Sequence, residues 1–470
     1  MTSKRVTRRN ALKSLGATAA LPVLANCGDD QGTGGAPGTG GAGGAGGAGY
    51  VPEDGITRVV VLMMENRSYD HYFGARSLVE GLASDGLTAE MANPDGAGIS
   101  RVVYRESTFC VADPPHGWDS SHLQFNLGVN DGFMTEYEAK TMAGIDPHVM
   151  GYFVREDLPV SYALADSYTS CDRYFCSVMG PTWPNRFYFH AGQSDGLKSN
   201  DSPRENMTTI YNRMDAKGLT WAYFYTDLPF LLLLGGSPVT PAVPSFYDAA
   251  ANGTLPQLTV IDPGFALNDD HPPHHPQLGQ QFIASVYQAL ATSPQWKNVL
   301  FIVTYDEHGG FFDHVAPPTV EDDRAAEGFD QLGFRVPTMI IGPYVKSGHV
   351  SSVQYDHTSI LKHIETMFDL EPLTKRDAAA NDLSDAIDQD RLAALDYAEP
   401  ITLPTLDIDP EMIDPACKGG GLRSAKCDIE VHADEGKIDK LYDLRPKRYE
   451  TARFIAEYLE RHGIARIKRG

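Results

Sequence analysis

The chain has 470 residues, 42% of them hydrophobic and 10% aromatic. That is the composition of a globular protein with material for one large α/β domain or two medium ones, and it excludes a disordered chain. A formal net charge of −23 excludes nucleic acid, or an anionic membrane, as a partner held by charge; an anionic substrate would need a local cation or basic group.

Thr7-Arg8-Arg9-Asn10-Ala11-Leu12-Lys13 is a twin-arginine signature, and a short apolar run from Leu15 to Ala25 follows it. The run is too short to remain as a membrane-spanning helix. Residues 1–27 therefore read as an export signal. The twin-arginine route predicts a chain exported already folded, to the periplasm, the cell surface or the medium, with no transmembrane helix in its mature form. Leu24-Ala25-Asn26-Cys27 is close to a lipoprotein cleavage box, although Asn26 stands where a small residue is usual. Cys27 is then either a lipid anchor or lost by simple cleavage. Residues 28–50 form a Gly/Ala-rich linker with no capacity for a core. As a random coil it spans about 25 Å. One folded domain is expected over residues 51–470.

Six cysteines occur, Cys27, Cys110, Cys171, Cys176, Cys417 and Cys427, at spacings that match no zinc pattern. Export favours disulfides. Cys171–Cys176 and Cys417–Cys427 are the local pairs, which leaves Cys110 over.

The folded part opens on Arg58-Val59-Val60-Val61-Leu62-Met63-Met64, an apolar run of strand length that passes directly into Glu65-Asn66-Arg67-Ser68. A turn-rich excursion from Gly81 to Phe109 should lie outside the main sheet. His116 and His122 then sit six apart near Pro114-Pro115, which predicts a loop rather than a helix face. Asn130 to Met134 reads as a turn, and helix is expected over Pro159–Ala165 and again over Ser167–Ser177. Gly180-Pro181-Thr182-Trp183-Pro184-Asn185-Arg186 places a hydroxyl between two prolines, which hold a loop stiffly and suit a presented nucleophile. Arg186 is either a phosphate clamp or a salt-bridge partner.

Further strands are predicted at Leu219–Tyr225 and Gln257–Asp262. Phe230–Leu234 reads as core or a pocket lip. Asp269-Asp270-His271-Pro272-Pro273-His274-His275-Pro276 is a His/Pro loop, and a helix with Phe282, Val286 and Leu290 on one face runs from Gly279 to Thr292. Val299 to Tyr305 is a second apolar strand run that breaks into Asp306-Glu307-His308-Gly309-Gly310-Phe311-Phe312-Asp313-His314. Adjacent carboxylates at the end of a buried strand are costly unless a cation or hydrogen bonds neutralise them. In open α/β sheets that edge is where ligands bind. Another buried strand is expected over Arg335–Pro343. Asp356 or Thr358 then caps a helix with His357 at its mouth. A charged helix over Lys440–Ile467 closes the chain, packed on the outside.

These motifs, in this order over residues 56–370, resemble the bacterial phosphoesterase family of haemolytic and non-haemolytic phospholipases C and the related acid phosphatase. The resemblance implies an alkaline-phosphatase-like three-layer α/β/α sandwich with a central, mostly parallel sheet. It implies one divalent or iron ion held by Glu65, Asn66, Asp306 and Glu307, with Thr182 Oγ1 as fifth ligand and as the nucleophile that forms a phospho-enzyme. His116, His271 and His357 would line the phosphoryl pocket. Asn185, Arg186, His122 and His308 are the candidate substrate-binding residues. The substrate would be a phosphate ester, either a monoester or a phospholipid head group. The long phospholipases C carry further β-domains, whereas beyond His357 this chain has a loop and a helix, as expected of shorter members; residues 371–470 are then an extension. A sulfatase reading needs Cys or Ser where Thr182 stands. A tethered binding module of the same fold predicts no turnover.

Overall fold

Seven strands form the main sheet: β1 (Arg58–Met64), β2 (Thr169–Cys171), β3 (Trp221–Tyr225), β4 (Leu258–Asp262), β5 (Val299–Tyr305), β6 (Thr338–Ile341) and β7 (His349–Ser351). Their spatial order is β7-β2-β6-β5-β1-β4-β3. The computed structural model describes residues 54–141, 146–204, 206–234, 243–409 and 444–469. The twin-arginine segment, Cys27, the Gly/Ala linker, Cys417 and Cys427 lie outside the described residues.

The pairs β1–β4, β1–β5, β3–β4 and β2–β7 are parallel, while β6 runs antiparallel to both β5 and β2. Every residue of β5, the polar Thr304 included, and Val59–Met64 of β1 is at most 1% exposed. Both faces of the sheet are therefore covered, which is why these runs are continuously apolar rather than alternating. Each fully buried Val, Leu, Ile or Phe here contributes about 1.5–3 kcal/mol relative to exposure.

The helices that matter for the site and its frame are α1 (Tyr69–Phe73), α2 (Trp118–Phe125), α3 (Pro159–Ser167), α4 (Thr182–Ala191), α5 (Pro276–Ala291), α6 (His357–Phe368) and α7 (Leu444–Arg461). Five of them fall into two packed groups: α5 lies against α3 and α7, and α4 lies against α6. With the sheet between them, these make the expected three-layer sandwich. Asp356 caps α6, its side chain accepting from Thr358 N–H at 2.8 Å, so the first of the two candidate caps is the one used.

Several expectations are corrected. The second helix predicted over Ser167–Ser177 is absent; β2 occupies Thr169–Cys171 instead, because its three residues are fully buried as an inner strand. His122 lies on a helix, α2, and Phe133 starts another at Phe133–Lys140 where a turn is expected. The final helix stops at Arg461, and Ala465–Ile467 forms a small parallel pair with Leu406–Ile408. Ala452, Ile455, Ala456 and Leu459 of α7 are buried, so this segment belongs to the core. Cys171 and Cys176 are free buried thiols, so the pair expected between them does not form, and Cys110, expected to be left over, is disulfide-bonded; the expected Cys417–Cys427 pair lies outside the described residues.

Candidate active site

The site is built where β1 and β5 end together. In their parallel register Met64 lies beside Tyr305, so Glu65 and Asp306 leave the sheet as neighbours. Asn66 turns the chain with φ of 58°, a left-handed conformation that Asn tolerates better than most residues. Its N–H donates to Asp306 Oδ1 at 3.1 Å, and Arg67 N–H donates to the Glu307 carbonyl at 3.0 Å. Gly309 and Gly310 follow with φ of 63° and 73°. A Cβ on Gly309 would stand 2.1 Å from the Asn66 carbonyl oxygen, and one on Gly310 would stand 2.6 Å from the Pro115 carbonyl oxygen. The glycine pair lets the 65–66 turn and the 113–116 loop both close on the end of β5.

This edge concentrates negative charge inside the protein. Glu65, Asp306 and Glu307 are buried, and β4 adds Asp262, also buried, at the same edge. Arg186 of α4 lies among them: it approaches Glu65 at 3.1 Å, Asp306 at 3.3 Å and Asp262 at 3.4 Å. It also donates to the Met63 and Met64 carbonyls at 3.1 and 3.3 Å. One guanidinium does not neutralise four carboxylates. Burial, then Asp306, pushes Glu65 well above the carboxylate range. Burial likewise lifts Asp306 and Asp262 to about 6, against the pull of Arg186. Glu307 goes the other way. Burial opposes its charge, but His116, His308 and the Gly309 N–H outweigh it and hold its pKa low.

Thr182 is the first residue of α4, so its hydroxyl sits at the positive end of a ten-residue helix. Asn185 fixes the turn before it. Its Oδ1 accepts from Val178 N–H at 2.9 Å, and its Nδ2 donates to the carbonyls of Val178, Gly180 and Pro181 at 3.2, 2.9 and 3.2 Å.

Two histidines face this edge from loops. His116 Nδ1 is 2.7 Å from the Pro114 carbonyl, and His271 Nδ1 is 2.5 Å from the Pro272 carbonyl. A carbonyl only accepts, so both rings carry the proton on Nδ1 and present Nε2. His116 Nε2 lies 3.3 Å from Asn66 Nδ2 and 3.8 Å from Glu307 Oε1. The Asn66 amide therefore turns its nitrogen to His116 and its oxygen away.

The residues present fit a hard cation. Asn66 Oδ1, Thr182 Oγ1 and Glu307 Oε1 are buried oxygens with no hydrogen-bond partner. Leaving such atoms unmet is costly. An amide, a hydroxyl and carboxylate oxygens are the donor set of a hard ion.

The other sequence candidates meet the following partners, and Arg186 takes the salt-bridge role of its two. Arg186 does not face open solvent as a phosphate clamp; its donors are taken by carboxylates and main chain, because only a fixed cation makes those buried acids tolerable. Asn185 is fully engaged in the 178–181 turn. His308 bridges Glu307 Oε2 at 3.2 Å and Gln124 Oε1 at 2.8 Å, which orients the carboxylate. His122 stacks on Trp118 at 4.6 Å with Nδ1 on the Trp118 carbonyl, and Gly180 packs against the same indole. His357 is fully buried; its Nε2–H donates to the Asp306 carbonyl at 2.7 Å, and Tyr174 OH lies 3.4 Å from Nδ1. Burial, rather than the helix dipole, lowers it to about 4. It supports the 306–307 turn from behind.

Asp313 and His314, which follow the same strand, belong to a separate cluster. Arg335 reaches Asp313 at 2.9 Å and Asp70 at 3.0 Å, and His314 Nδ1 lies 2.7 Å from Asp70. A cation is already in place there. Asp262 is a site residue that sequence reasoning passed over. It also ends a buried strand, so the rule that picked out Glu65 and Asp306 applies to it equally. Gln124 and Tyr174 carried no signal, since their roles depend on contacts across the fold.

The Phosphoesterase family model matches residues 56–371. Non-specific phospholipase C1 of Arabidopsis thaliana is 34% identical over 376 residues, covering 69% of this chain and 69% of the relative. Non-specific phospholipase C3 of the same plant is 30% identical over 474 residues, with coverage of 87% and 89%. Phospholipase C B of Mycobacterium tuberculosis (strain ATCC 25618 / H37Rv) is 31% identical over 405 residues, with coverage of 70% and 77%.

Proposed function

The chain belongs to the Phosphoesterase family, and from that premise we propose that it is a metal-dependent hydrolase of the phospholipase C type that acts through a phosphothreonine at Thr182. The observation that carries this reading is the Thr182 hydroxyl: buried, without a hydrogen-bond partner, and at the start of α4, the helix whose Arg186 touches the ends of β1, β4 and β5. A hard cation held by Glu65, Asn66, Asp306, Glu307 and Thr182 Oγ1 would lower the hydroxyl pKa and offset the charge of the phosphoryl group.

The protein's own residues then divide the work. Asn185 holds the turn that aims Thr182, and the α4 N-terminus favours negative charge on its oxygen. Thr182 Oγ1 gives up its proton to solvent and bonds to phosphorus as the P–O bond to the leaving alcohol breaks. His116 or His271, each anchored through Nδ1, exchanges its proton at Nε2; the ring that is protonated there gives that proton to the leaving oxygen. Water then attacks phosphorus, releases the phosphate or phosphomonoester, and restores the Thr182 hydroxyl. His357 and His308 position the carboxylates.

The names of the relatives support a phospholipid diester as substrate, with the head-group phosphomonoester as product. The twin-arginine signature supports export, and the Cys27 box with its linker supports tethering at a cell surface. The test is a panel of p-nitrophenyl phosphate, p-nitrophenyl phosphorylcholine and phosphatidylcholine vesicles, each with and without chelator. Thr182→Ala should abolish turnover of all three with the fold retained. Turnover surviving in Thr182→Ala sinks the mechanism, and an inert wild type with every metal tried leaves the binding-module reading.

A further inference from the structure

The loop that follows α2 carries the most exposed large apolar side chain among the described residues. Leu127 is 94% exposed, and Val129 and Leu123 in the same stretch are 64% and 57% exposed. We infer that Leu123, Leu127 and Val129 form a tip that enters a zwitterionic phospholipid surface and seats the active site against it. The choice of a lipid partner rests on the phospholipid reading under Proposed function.

Three observations carry this. The first is that the exposure is built into the backbone. Asn126, Leu127 and Gly128 have φ of 39°, 57° and 95°. A left-handed backbone is costly for leucine, and such strain persists only where the surrounding structure imposes it. Here hydrogen bonds impose it. Asn126 Nδ2 donates to Asp131 Oδ1 at 2.7 Å, and Asn130 N–H donates to the Phe125 carbonyl at 3.0 Å. Asn130 Nδ2 also donates to the Asp313 carbonyl at 3.2 Å, and Asn93 Nδ2 donates to the Asn130 carbonyl at 2.8 Å. Phe125 packs inward against the core, so the loop is pinned at its root while Leu127 is held out.

The second is the connection to the site. The inner face of α2 is part of the site's frame. Ser121 Oγ donates to the His116 carbonyl at 3.0 Å, and Gln124 Nε2 donates to the Pro115 carbonyl at 2.7 Å. Gln124 Oε1 lies 2.8 Å from His308 Nε2. Leu123 is on the solvent side of the same helix. The eight residues of α2 span about 12 Å. One short helix therefore braces the His116 loop on one face and ends in the apolar tip.

The third is charge. Between Arg105 and Lys140 the sequence has six acids and no lysine or arginine. Lys198, 4.4 Å over the Trp118 ring, stands at the opposite end of α2. The tip offers nothing to attract an anionic lipid or a nucleic acid, and the net charge of −23 opposes both. Apolar side chains on an acidic frame suit a surface with no net charge, which they enter by burying apolar area alone. A protruding leucine needs no matching pocket in a fluid lipid phase, whereas a folded partner would have to supply one.

The test uses the full chain carrying Cys27→Ser, so that no acyl chain on the protein contributes. Binding to phosphatidylcholine vesicles is read by sedimentation, with metal and again in chelator, where lipid is not consumed. Adding Leu123→Ser, Leu127→Asn and Val129→Ser together should weaken binding at least tenfold. The parent's binding should survive high salt and should be no stronger on phosphatidylglycerol vesicles. Asparagine tolerates the backbone at 127, and thermal melts verify folding. As a second readout, Leu127→Trp should add an emission that moves to the blue on vesicles and is quenched by lipids brominated on the acyl chain. Turnover of phosphatidylcholine vesicles should fall tenfold in the triple variant, with turnover of soluble p-nitrophenyl phosphorylcholine unchanged. The inference is overturned if the parent binds no vesicles, if the triple variant binds them equally well, or if the Leu127→Trp emission stays as in water. It is also overturned if the parent is a dimer that the triple variant dissolves with vesicle binding unchanged, which assigns the patch to a second copy. A parent that binds vesicles through the tip yet turns over no ester upholds the tip and removes the phospholipase reading. A parent that turns over the soluble ester and binds no vesicles does the reverse.

Discussion

Arg186 Nη2 lies 3.1 Å from Glu65 Oε1 inside the protein, with only 1% of the arginine side chain exposed. This contact joins α4, which carries Thr182, to the end of β1. The charge balance of the buried acids and the position of the hydroxyl therefore depend on one side chain. An Arg186→Met chain should lose about 3–5 kcal/mol of stability, because carboxylates are left buried without their partner. The loss should be larger in chelator than with a divalent ion present. Urea unfolding under both conditions measures the difference, and equal losses would count against a cation site at Glu65 and Asp306.

Gly309→Ala should be more damaging than its size suggests. The substitution forces φ of 63° on a residue with a Cβ and drives that carbon to 2.1 Å from the Asn66 carbonyl oxygen. The conformational part alone costs about 1–2 kcal/mol. Gly81 has a similar φ of 70° with nothing within 4 Å, so Gly81→Ala isolates that part. Turnover should fall at least tenfold in Gly309→Ala and stay unchanged in Gly81→Ala, since only the first displaces Asn66.

Stability should fall on the alkaline side because of His314. Burial disfavours its charge, yet Asp70 at 2.7 Å outweighs burial and raises its pKa from the ordinary 6.5 to about 9. A raised pKa contributes stability that is fully present below the unfolded value and is lost as pH rises through the folded one. The wild type should therefore weaken between about pH 6.5 and 9, and His314→Gln should lack that slope. Denaturant unfolding at about pH 6 and about pH 10 reads it directly.

Thr182→Ser should keep turnover and Thr182→Ala should lose it by about 10³-fold or more. Only the serine retains an oxygen at the start of α4. Rapid-quench of the wild type with a p-nitrophenyl ester should trap phosphate on residue 182. A burst of p-nitrophenol with no labelled protein would point to direct attack by water.

His357→Ala should lower kcat with little change in KM, since His357 acts through the Asp306 carbonyl at 2.7 Å and stands behind the acids. Steady-state kinetics separate the two parameters. A large rise in KM with unchanged kcat would place His357 against substrate instead.

By itself, the sequence determined the architecture and the edge at which the site is built. Continuous apolar runs at Val59–Met64 and Val299–Tyr305 require strands covered on both faces, and acids placed directly after them must leave at the same end of a parallel sheet. Glycines at 309 and 310, a hydroxyl between prolines at 182 and the ordered motifs were equally legible. What each polar side chain does with its hydrogen bonds was decided only by the tertiary structure. Arg186 reads as either a phosphate clamp or a salt-bridge partner, and Asn185 as a substrate ligand, until their partners, up to 123 residues away, are seen to use their donors. His308 and His314 sit six apart on one segment, yet Gln124 and Glu307 claim the first while Asp70 and Asp85 claim the second. Periodicity reports which residues are buried. It does not report which distant group meets a buried charge, and that pairing separates a residue free to touch substrate from one that holds the site together.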